Sequence, residues 1–309
     1  MVRKNKSDQL FYKYFEEWIE LYKVGAVRDV TLNKYNMSLQ RVNELAPSLK
    51  VGEMDRRKYQ QLLNDYAITH EKQTTMDFHH QLKGAILDAV DEGLIDTNPT
   101  RKIIIKGKKP KEKRTKFLNQ FEIQALLRKL DLTQEISWDW FILLVAKTGL
   151  RFSEALALTP NDFDFSKQKL SITKTWNYKG TKGEFQPTKN ESSKRTLQID
   201  WQTAMQFSQL IKHLDADKPI FVKSRVFNST INYRLKVLCT NANIPIITIH
   251  SLRHTHASLL LFAGVSIASV ATRLGHSSMT TTQETYLHII QELENQDNEK
   301  IMKHLALLI

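Results

Sequence analysis

HSLRHTHASLLLFAGVSIASVATRLGHSSMTTTQETYLH occupies residues 250–288. Its first 27 residues hold four histidines and two arginines, and Tyr286 follows ten residues after the last of those histidines. The middle of the stretch, ASLLLFAGVSIASVATRL, is apolar at helical spacing and reads as buried scaffold. Cationic and titratable groups therefore crowd the ends of a buried helical segment, with one phenol beside them. His250 and Arg253 are one helical turn apart, so their side chains share a face.

The surrounding chain sets limits on the chemistry. It has 309 residues, enough for two domains, with 41% hydrophobic and 25% charged residues. No apolar run approaches the length of a membrane span. The N-terminus, MVRKNKSDQLFYKYFEEW, lacks the apolar core and small-residue cleavage site of a secretory signal. The single cysteine, Cys239, forbids an internal disulfide and fits a reducing cytosol. The net charge of +12 favours an anionic partner. Residues 101–116, RKIIIKGKKPKEKRTK, carry nine Lys/Arg against one Glu, two thirds of that excess. Such a run is either a solvated linker or a basic strap laid along phosphates, and a flexible linker can be both.

Periodicity divides the chain. Residues 10–95 read as four amphipathic helices, the first with Leu10, Phe11, Tyr14, Phe15, Trp18, Ile19 and Tyr22 at helical spacing. Asp29 or Thr31 is the expected N-cap of the second, and Pro47 follows its end. The expected domains are a helical DNA-binding domain over 1–100, a basic linker over 101–116 and a second domain over 117–309. The second domain opens with Asn119 and Glu122 in capping-box spacing. SWDWFILLVAKTG follows as a deeply buried helix that Gly149 is placed to end. Leu170, Ile172, Leu197 and Ile199 alternate on one face, which predicts a small antiparallel sheet around the polar loop NYKGTKGEFQPTKNESS. Helices resume at about 201. The fold class is thus mainly α with a small antiparallel β-sheet.

Four segments stand out as chemistry-bearing: TGLRFSE (148–154), PTKNESSKR (187–195), HSLRHTH (250–256) and LGHSSMTTTQETYLH (274–288). Each alone has a bland reading. Arg151 could merely pair with Glu154 on the surface, Arg253 could be a helix-face cation, and Tyr286 could be one of nine tyrosines packed in a core. Histidines at i and i+4 can bind zinc, but no Cys or carboxylate lies near His250, His254 and His256 in sequence, and Arg253 repels a cation. Arginine forks suit the non-bridging oxygens of a phosphodiester and stay charged at working pH. A phenol ionises only near pH ~10, so a nucleophilic Tyr286 needs cations or a base beside it.

In that order and spacing the four segments resemble the tyrosine recombinase, or phage integrase, family, most closely the integrases of phages and conjugative transposons of Gram-positive bacteria. The resemblance spans residues 117–290, and the helical region before it is similar to the family's core-binding domain. It implies an α+β catalytic domain which, with the core-binding domain, closes as a C-shaped clamp around DNA. It implies Arg151 and Arg253 on the phosphate, His250 and His276 assisting, Lys189 protonating the leaving oxygen, and Tyr286 as nucleophile. Lys179, Lys182 and Lys194 compete with Lys189. Glu154 is expected to orient a neighbouring His or Arg, and His254 and His256 to be supporting groups. Thr280, Thr281 and Thr282 are candidate caps for the helix bearing Tyr286. Lys106, Lys108, Lys109, Lys111, Lys113 and Arg114 are expected DNA contacts.

The implied activity is site-specific recombination: DNA cleavage and rejoining through a covalent 3′-phosphotyrosine, integrating or excising a mobile genetic element. Neither a cofactor nor a metal is expected. Implied partners are duplex attachment sites, three further copies of the chain in a tetramer on synapsed DNA, and an excisionase or host DNA-bending protein. The apolar residues Ile301, Met302, Leu305, Leu308 and Ile309 would dock on the chain's own domain or on a neighbouring protomer. The implied location is the bacterial cytoplasm, at the nucleoid. A chromosome-dimer-resolving recombinase and a non-catalytic DNA-binding protein are the alternatives. A metal-dependent nuclease would need clustered carboxylates, which are missing beside the histidines. A type IB topoisomerase shares the chemistry but would show little dependence on target sequence. Integrases of mobile elements often carry a small arm-binding domain ahead of the core-binding helices, so either a simple two-domain recombinase or one trimmed of that domain is expected.

Overall fold

The computed structural model of the chain describes residues 7–109, 117–180, 183–286, 302 and 305. It divides into two compact units, Met1–Lys113 and Arg114–Ile309.

The first unit carries α1 (Phe11–Tyr22), α2 (Asp29–Leu45), α3 (Arg56–Ala67) and α4 (Lys72–Asp91). Phe11, Tyr14, Phe15, Trp18 and Ile19 form one buried stripe of α1, as their spacing predicts. They meet Leu62 and Leu63 of α3 and Phe78, Leu82 and Ile86 of α4 in one core. The expected cap of α2 is corrected: Arg28 holds the N-cap position without a side-chain capping hydrogen bond, and Asp29 is already helical. Its carboxylate still lies in the first turn, where the helix dipole favours an anion.

Residues 101–109, the first half of the basic stretch, are not a free strap. Gln60 exchanges two 2.9 Å hydrogen bonds with the Ile104 backbone. The Lys108 amide donates to the His70 carbonyl at 2.8 Å. Ile103 and Ile105 pack against the first unit's core, while Ile104 between them is exposed. That alternation leaves Lys106, Lys108 and Lys109 in solvent. Lys111, Lys113 and Arg114 lie outside the described residues.

The second unit is built on α6 (Trp138–Thr148), preceded by α5 (Gln120–Leu127) and followed by α7 (Phe152–Leu156). Asn119 and Glu122 form the predicted capping box on α5. Six consecutive residues of α6, Trp140–Val145, are buried. Its one buried charge, Asp139, is held by a two-pronged contact from Arg234 at 2.7 Å on each oxygen, which removes the cost of an unpaired buried carboxylate. The β region is larger than the alternation suggested. Strands β1 (Phe163–Asp164), β2 (Lys169–Ile172) and β5 (Arg195–Gln198) form one antiparallel sheet in the order β1-β2-β5. Strands β3 (Lys174–Trp176) and β4 (Phe185–Pro187) form a separate hairpin. Leu170 lies opposite Leu197, and both point into the core with Ile172 and Ile199.

Four helices follow: α8 (Trp201–Leu210), α9 (Asn228–Asn241), α10 (Ile249–Phe262) and α11 (Ile267–Leu274). Thr248 caps α10 through a reciprocal arrangement with Ser251, so the HSLRHTH segment starts that helix. Residues 279–286 are helical and end on Tyr286 within the described range. The threonine caps are corrected here: Ser278 Oγ accepts from the Thr280 amide at 3.1 Å, and Thr282 is buried with another task. The expected docking of the tail lies outside the described residues except at Met302 and Leu305, which are exposed. Among the described residues no helix is long and apolar enough to cross a membrane.

Candidate active site

Two helices of the second unit end on left-handed glycines, and both ends receive an arginine. Gly149 closes α6 at φ +68° and Gly275 closes α11 at φ +67°. Arg253 donates to the Gly149 carbonyl at 2.8 Å and to the Leu274 carbonyl at 2.7 Å. Arg151 donates to the Gly275 carbonyl at 2.9 Å. Helix C-termini carry partial negative charge, so they steady these cations without cancelling them. Burial, then the neighbouring Arg151 charge, lowers the pKa of Arg253 to about 9. It remains a cation at neutral pH.

A single buried carboxylate balances part of this charge. Glu154 is 1% exposed and accepts from Arg151 Nη1 at 2.6 Å and from Arg195 Nη2 at 2.9 Å. Its burial opposes ionisation, but the charge and hydrogen bond of Arg195, then Arg151, outweigh that and hold the carboxyl below its usual range. The expected Arg151–Glu154 pairing therefore exists, but in the interior and shared with a third arginine. Three guanidinium groups against one carboxylate leave the cluster cationic, as an anion site requires.

Arg195 is absent from the sequence-based site, yet it ties the pieces together. It donates to the Arg273 carbonyl at 2.7 Å and the Ser193 carbonyl at 2.9 Å, besides Glu154. A signal for it existed: position 195 has the same strand parity as buried Leu197 and Ile199, so its side chain must face inward. Arg273 is a second omission. It donates from Nε to His256 Nε2 at 2.9 Å and from Nη1 to the Gln198 carbonyl at 3.0 Å. His256 in turn donates from Nδ1 to the Ala146 carbonyl at 3.0 Å. Burial and then the Arg273 charge lower the pKa of His256 to about 4, so the ring is neutral. His256 is thus a supporting group that fastens α10 to α6.

The remaining predicted residues take distinct positions. His250, at the second position of α10, is exposed, and its pKa is lowered by partial burial, Arg253 and Arg151. His276 follows Gly275, with its Nδ1 2.7 Å from the Thr282 hydroxyl. Burial, Arg253 and Arg151 lower its pKa to about 4, so it is neutral at pH 7. Lys189 is exposed in the turn after β4. The far end of its loop is pinned to the cluster through Ser193, whose hydroxyl lies 3.4 Å from Arg151 Nη1. Of its rivals, Lys194 pairs with Glu191 at 2.8 Å, Lys179 is exposed, and Lys182 lies outside the described residues.

Tyr286 is 2% exposed and packs with Ala257, Leu261, Val270 and Leu274. Its hydroxyl lies 3.0 Å from His254 Nδ1. Burial raises its pKa to about 12 against the opposing pull of Arg253. The phenol is therefore protonated, and it donates this hydrogen bond when the His254 ring hydrogen sits on Nε2. His254, expected only as a supporting group, touches the Tyr286 hydroxyl. Among the described residues no three His, Cys, Asp or Glu side chains gather as a metal site. His254 and His256 turn to different partners.

A phenol held beside a cationic cluster is the arrangement that the resemblance to tyrosine recombinases implies. Residues 116–292 match the phage integrase family, more than half of the chain, and the chain belongs to that family. It is 24% identical to the integrase of Staphylococcus phage L54a, over 95% of this chain and 92% of the relative. The solved structure of the Tn1549 transposon integrase with circular-intermediate DNA shares its fold at a TM-score of 0.73 and 18% identity, covering 89% of this chain and 94% of that one. A lambda integrase tetramer bound to a Holliday junction shares it at a TM-score of 0.65 and 17% identity, over 90% and 81%. The chain is a site-specific recombinase.

Proposed function

We propose that this recombinase integrates and excises a mobile genetic element, with Tyr286 as its nucleophile. Tyr286 Oη attacks the scissile phosphorus, the P–O5′ bond breaks, and the 3′ end stays on the protein as a phosphotyrosine. Retaining the phosphodiester energy lets another strand's 5′-hydroxyl reverse the step without a nucleotide cofactor. Arg151 and Arg253 take the non-bridging oxygens, and their charge matches the growing negative charge of the pentavalent state. Preorganised donors of this kind contribute roughly 3–4 kcal/mol each. Lys189 supplies the proton to the leaving oxygen from a loop anchored at Ser193. His250 and His276 complete the phosphate pocket, and Glu154 holds Arg151 and Arg195 in register.

The observation that carries this reading is the convergence of Arg151, Arg195 and Arg253 on Glu154 and two helix C-termini in the unit that buries Tyr286. The first unit is proposed to bind the core site, with Lys106, Lys108 and Lys109 on phosphates. Synapsis by four copies, with the tail of one docked on the next, fits the tetrameric assembly of the lambda relative. The same reading puts the protein at the bacterial nucleoid, with an excisionase or bending protein setting direction.

A nicked suicide substrate carrying the element's attachment site tests the proposal. Wild type should trap a covalent 3′ adduct on a denaturing gel, and Tyr286→Phe should bind the same DNA without forming it. An adduct in the Phe variant would remove Tyr286 from the role.

A further inference from the structure

The proposed chemistry leaves one proton without a destination. Tyr286 must lose its hydroxyl hydrogen as Oη bonds to phosphorus. Arg151, Arg195 and Arg253 are already cations and cannot accept it. His276 has its Nδ1 committed to Thr282 at 2.7 Å, and His256 is committed on both ring nitrogens to Ala146 and Arg273.

His254 is placed differently. Its Nδ1 lies 3.0 Å from Tyr286 Oη, and the two rings are 5.9 Å apart with a 58° tilt. On its other side the His250 ring meets it edge-on at 4.8 Å and 88°. The spacing explains this stack: His250 and His254 are four residues apart on α10, one above the other. His254 therefore bridges the exposed His250 and the enclosed tyrosine.

We propose that His254 is a further catalytic residue of the strand-cleavage step, the base that takes the phenolic proton of Tyr286. The inference rests on Tyr286 being the nucleophile. With the ring hydrogen on Nε2, Nδ1 accepts the Tyr286 O–H at 3.0 Å. In the forward step the Oη–H bond breaks and its proton moves to His254 Nδ1. The Oη–P bond forms, the P–O5′ bond breaks, and the leaving oxygen takes a proton from Lys189. His254 becomes an imidazolium. In the rejoining step a 5′-hydroxyl gives its proton to the neutral Lys189 and attacks phosphorus; the P–O5′ bond forms, the Oη–P bond breaks, and His254 returns its proton to Tyr286 Oη. The acceptor thus sits on the helix that carries Arg253, so one rigid element aligns the base with the phosphate clamp.

Single-turnover cleavage of the nicked substrate by His254→Ala, His254→Asn and Tyr286→Phe tests this, with DNA binding by gel shift as the control for folding. His254→Ala should bind normally and form adduct about 100-fold or more slowly, the size of a lost proton acceptor. Added imidazole should restore part of the rate. His254→Asn should stay slow, because an amide can orient the phenol but cannot take its proton. Full cleavage by His254→Ala, or full rescue by the Asn variant, would overturn the proposal. A 5′-bridging phosphorothiolate gives a second arm, independent of folding in any one variant. Its sulfur leaves without a proton, so it should rescue Lys189→Ala and not His254→Ala; rescue of the latter would make His254 an acid and overturn the assignment. Adduct formation by Tyr286→Phe would fail the nucleophile reading instead, and so separates the two outcomes.

Discussion

Arg253 is anchored at 2.8 Å by the carbonyl of Gly149, a residue whose own backbone is left-handed at φ +68°. The glycine is required twice over. A Cβ at position 149 would lie 2.7 Å from His256 Cδ2 and 3.1 Å from Leu274 Cδ2. Gly149→Ala should therefore cost about 1–3 kcal/mol in stability, from the strained conformation and the displaced ring. Because His256 and the Arg253 anchor shift together, cleavage should fall more than DNA affinity. Urea unfolding and single-turnover cleavage measure the two effects; an alanine variant with wild-type values for both would mean that the carbonyl does not position Arg253.

Glu154→Gln tests whether one carboxylate holds two arginines. The amide keeps the shape but removes the charge from a site that is 1% exposed. Breaking a buried pair in this way costs roughly 3–5 kcal/mol. The variant should unfold more easily and cleave more slowly, yet bind DNA at least as tightly, since the pocket becomes more cationic. The sign with pH follows from the lowered pKa of Glu154. Its contribution is full above the unfolded carboxyl value of 4.5 and is lost as pH falls through the lower folded value. Stability curves of wild type and Glu154→Gln should therefore converge below pH 4.5, and parallel curves would refute the shared-carboxylate account.

What the sequence made legible depended on periodicity and local chemistry. The stripe of α1, the capping box at Asn119, the end of α6 at Gly149 and the inward set Leu170, Ile172, Leu197 and Ile199 are local signals, and the structure bears each one out. Within the cluster, Arg151, Arg253 and Glu154 come together where their motifs led. The partners of Tyr286 and His256 were not readable, because they are set by how α10, α11 and the helical residues 279–286 cross, which no spacing along the chain encodes. Arg195 was readable from strand parity, but it follows a lysine-rich loop in which one more cation carries no distinct signal. The short strands β1 and β4 were missed because two or three residues carry no period.

The basic stretch carries its own prediction. Lys106, Lys108 and Lys109 are exposed on a segment that Gln60 and His70 hold in place, so their charge is preorganised. Replacing all three with glutamine should weaken DNA binding at every sequence alike. If each meets one phosphate, the slope of log affinity against log salt should shrink by about 3, close to one unit per contact. Binding isotherms between roughly 50 and 200 mM salt read this directly. An unchanged slope would place these lysines away from the duplex.

His256 gives the protein a stability that depends on pH in a defined window. Its folded pKa is about 4, against an ordinary 6.5, because burial and Arg273 disfavour the imidazolium. The unfolded chain therefore binds a proton that the fold refuses. Stability from this group is complete above pH 6.5 and is lost progressively as pH falls towards 4. The shift corresponds to about 3 kcal/mol at its full extent. His276 has a lowered pKa in the same range, so wild type alone cannot isolate the effect, whereas His256→Gln can. The variant should be less stable than wild type at pH 7.5, having lost the ring that joins Ala146 to Arg273. It should also lose less stability between pH 7 and 4.5. Urea melts of both proteins at half-unit pH steps provide the measurement. A constant difference across the window would mean that His256 keeps its ordinary pKa in the fold and that its tie to Arg273 does not exclude a proton.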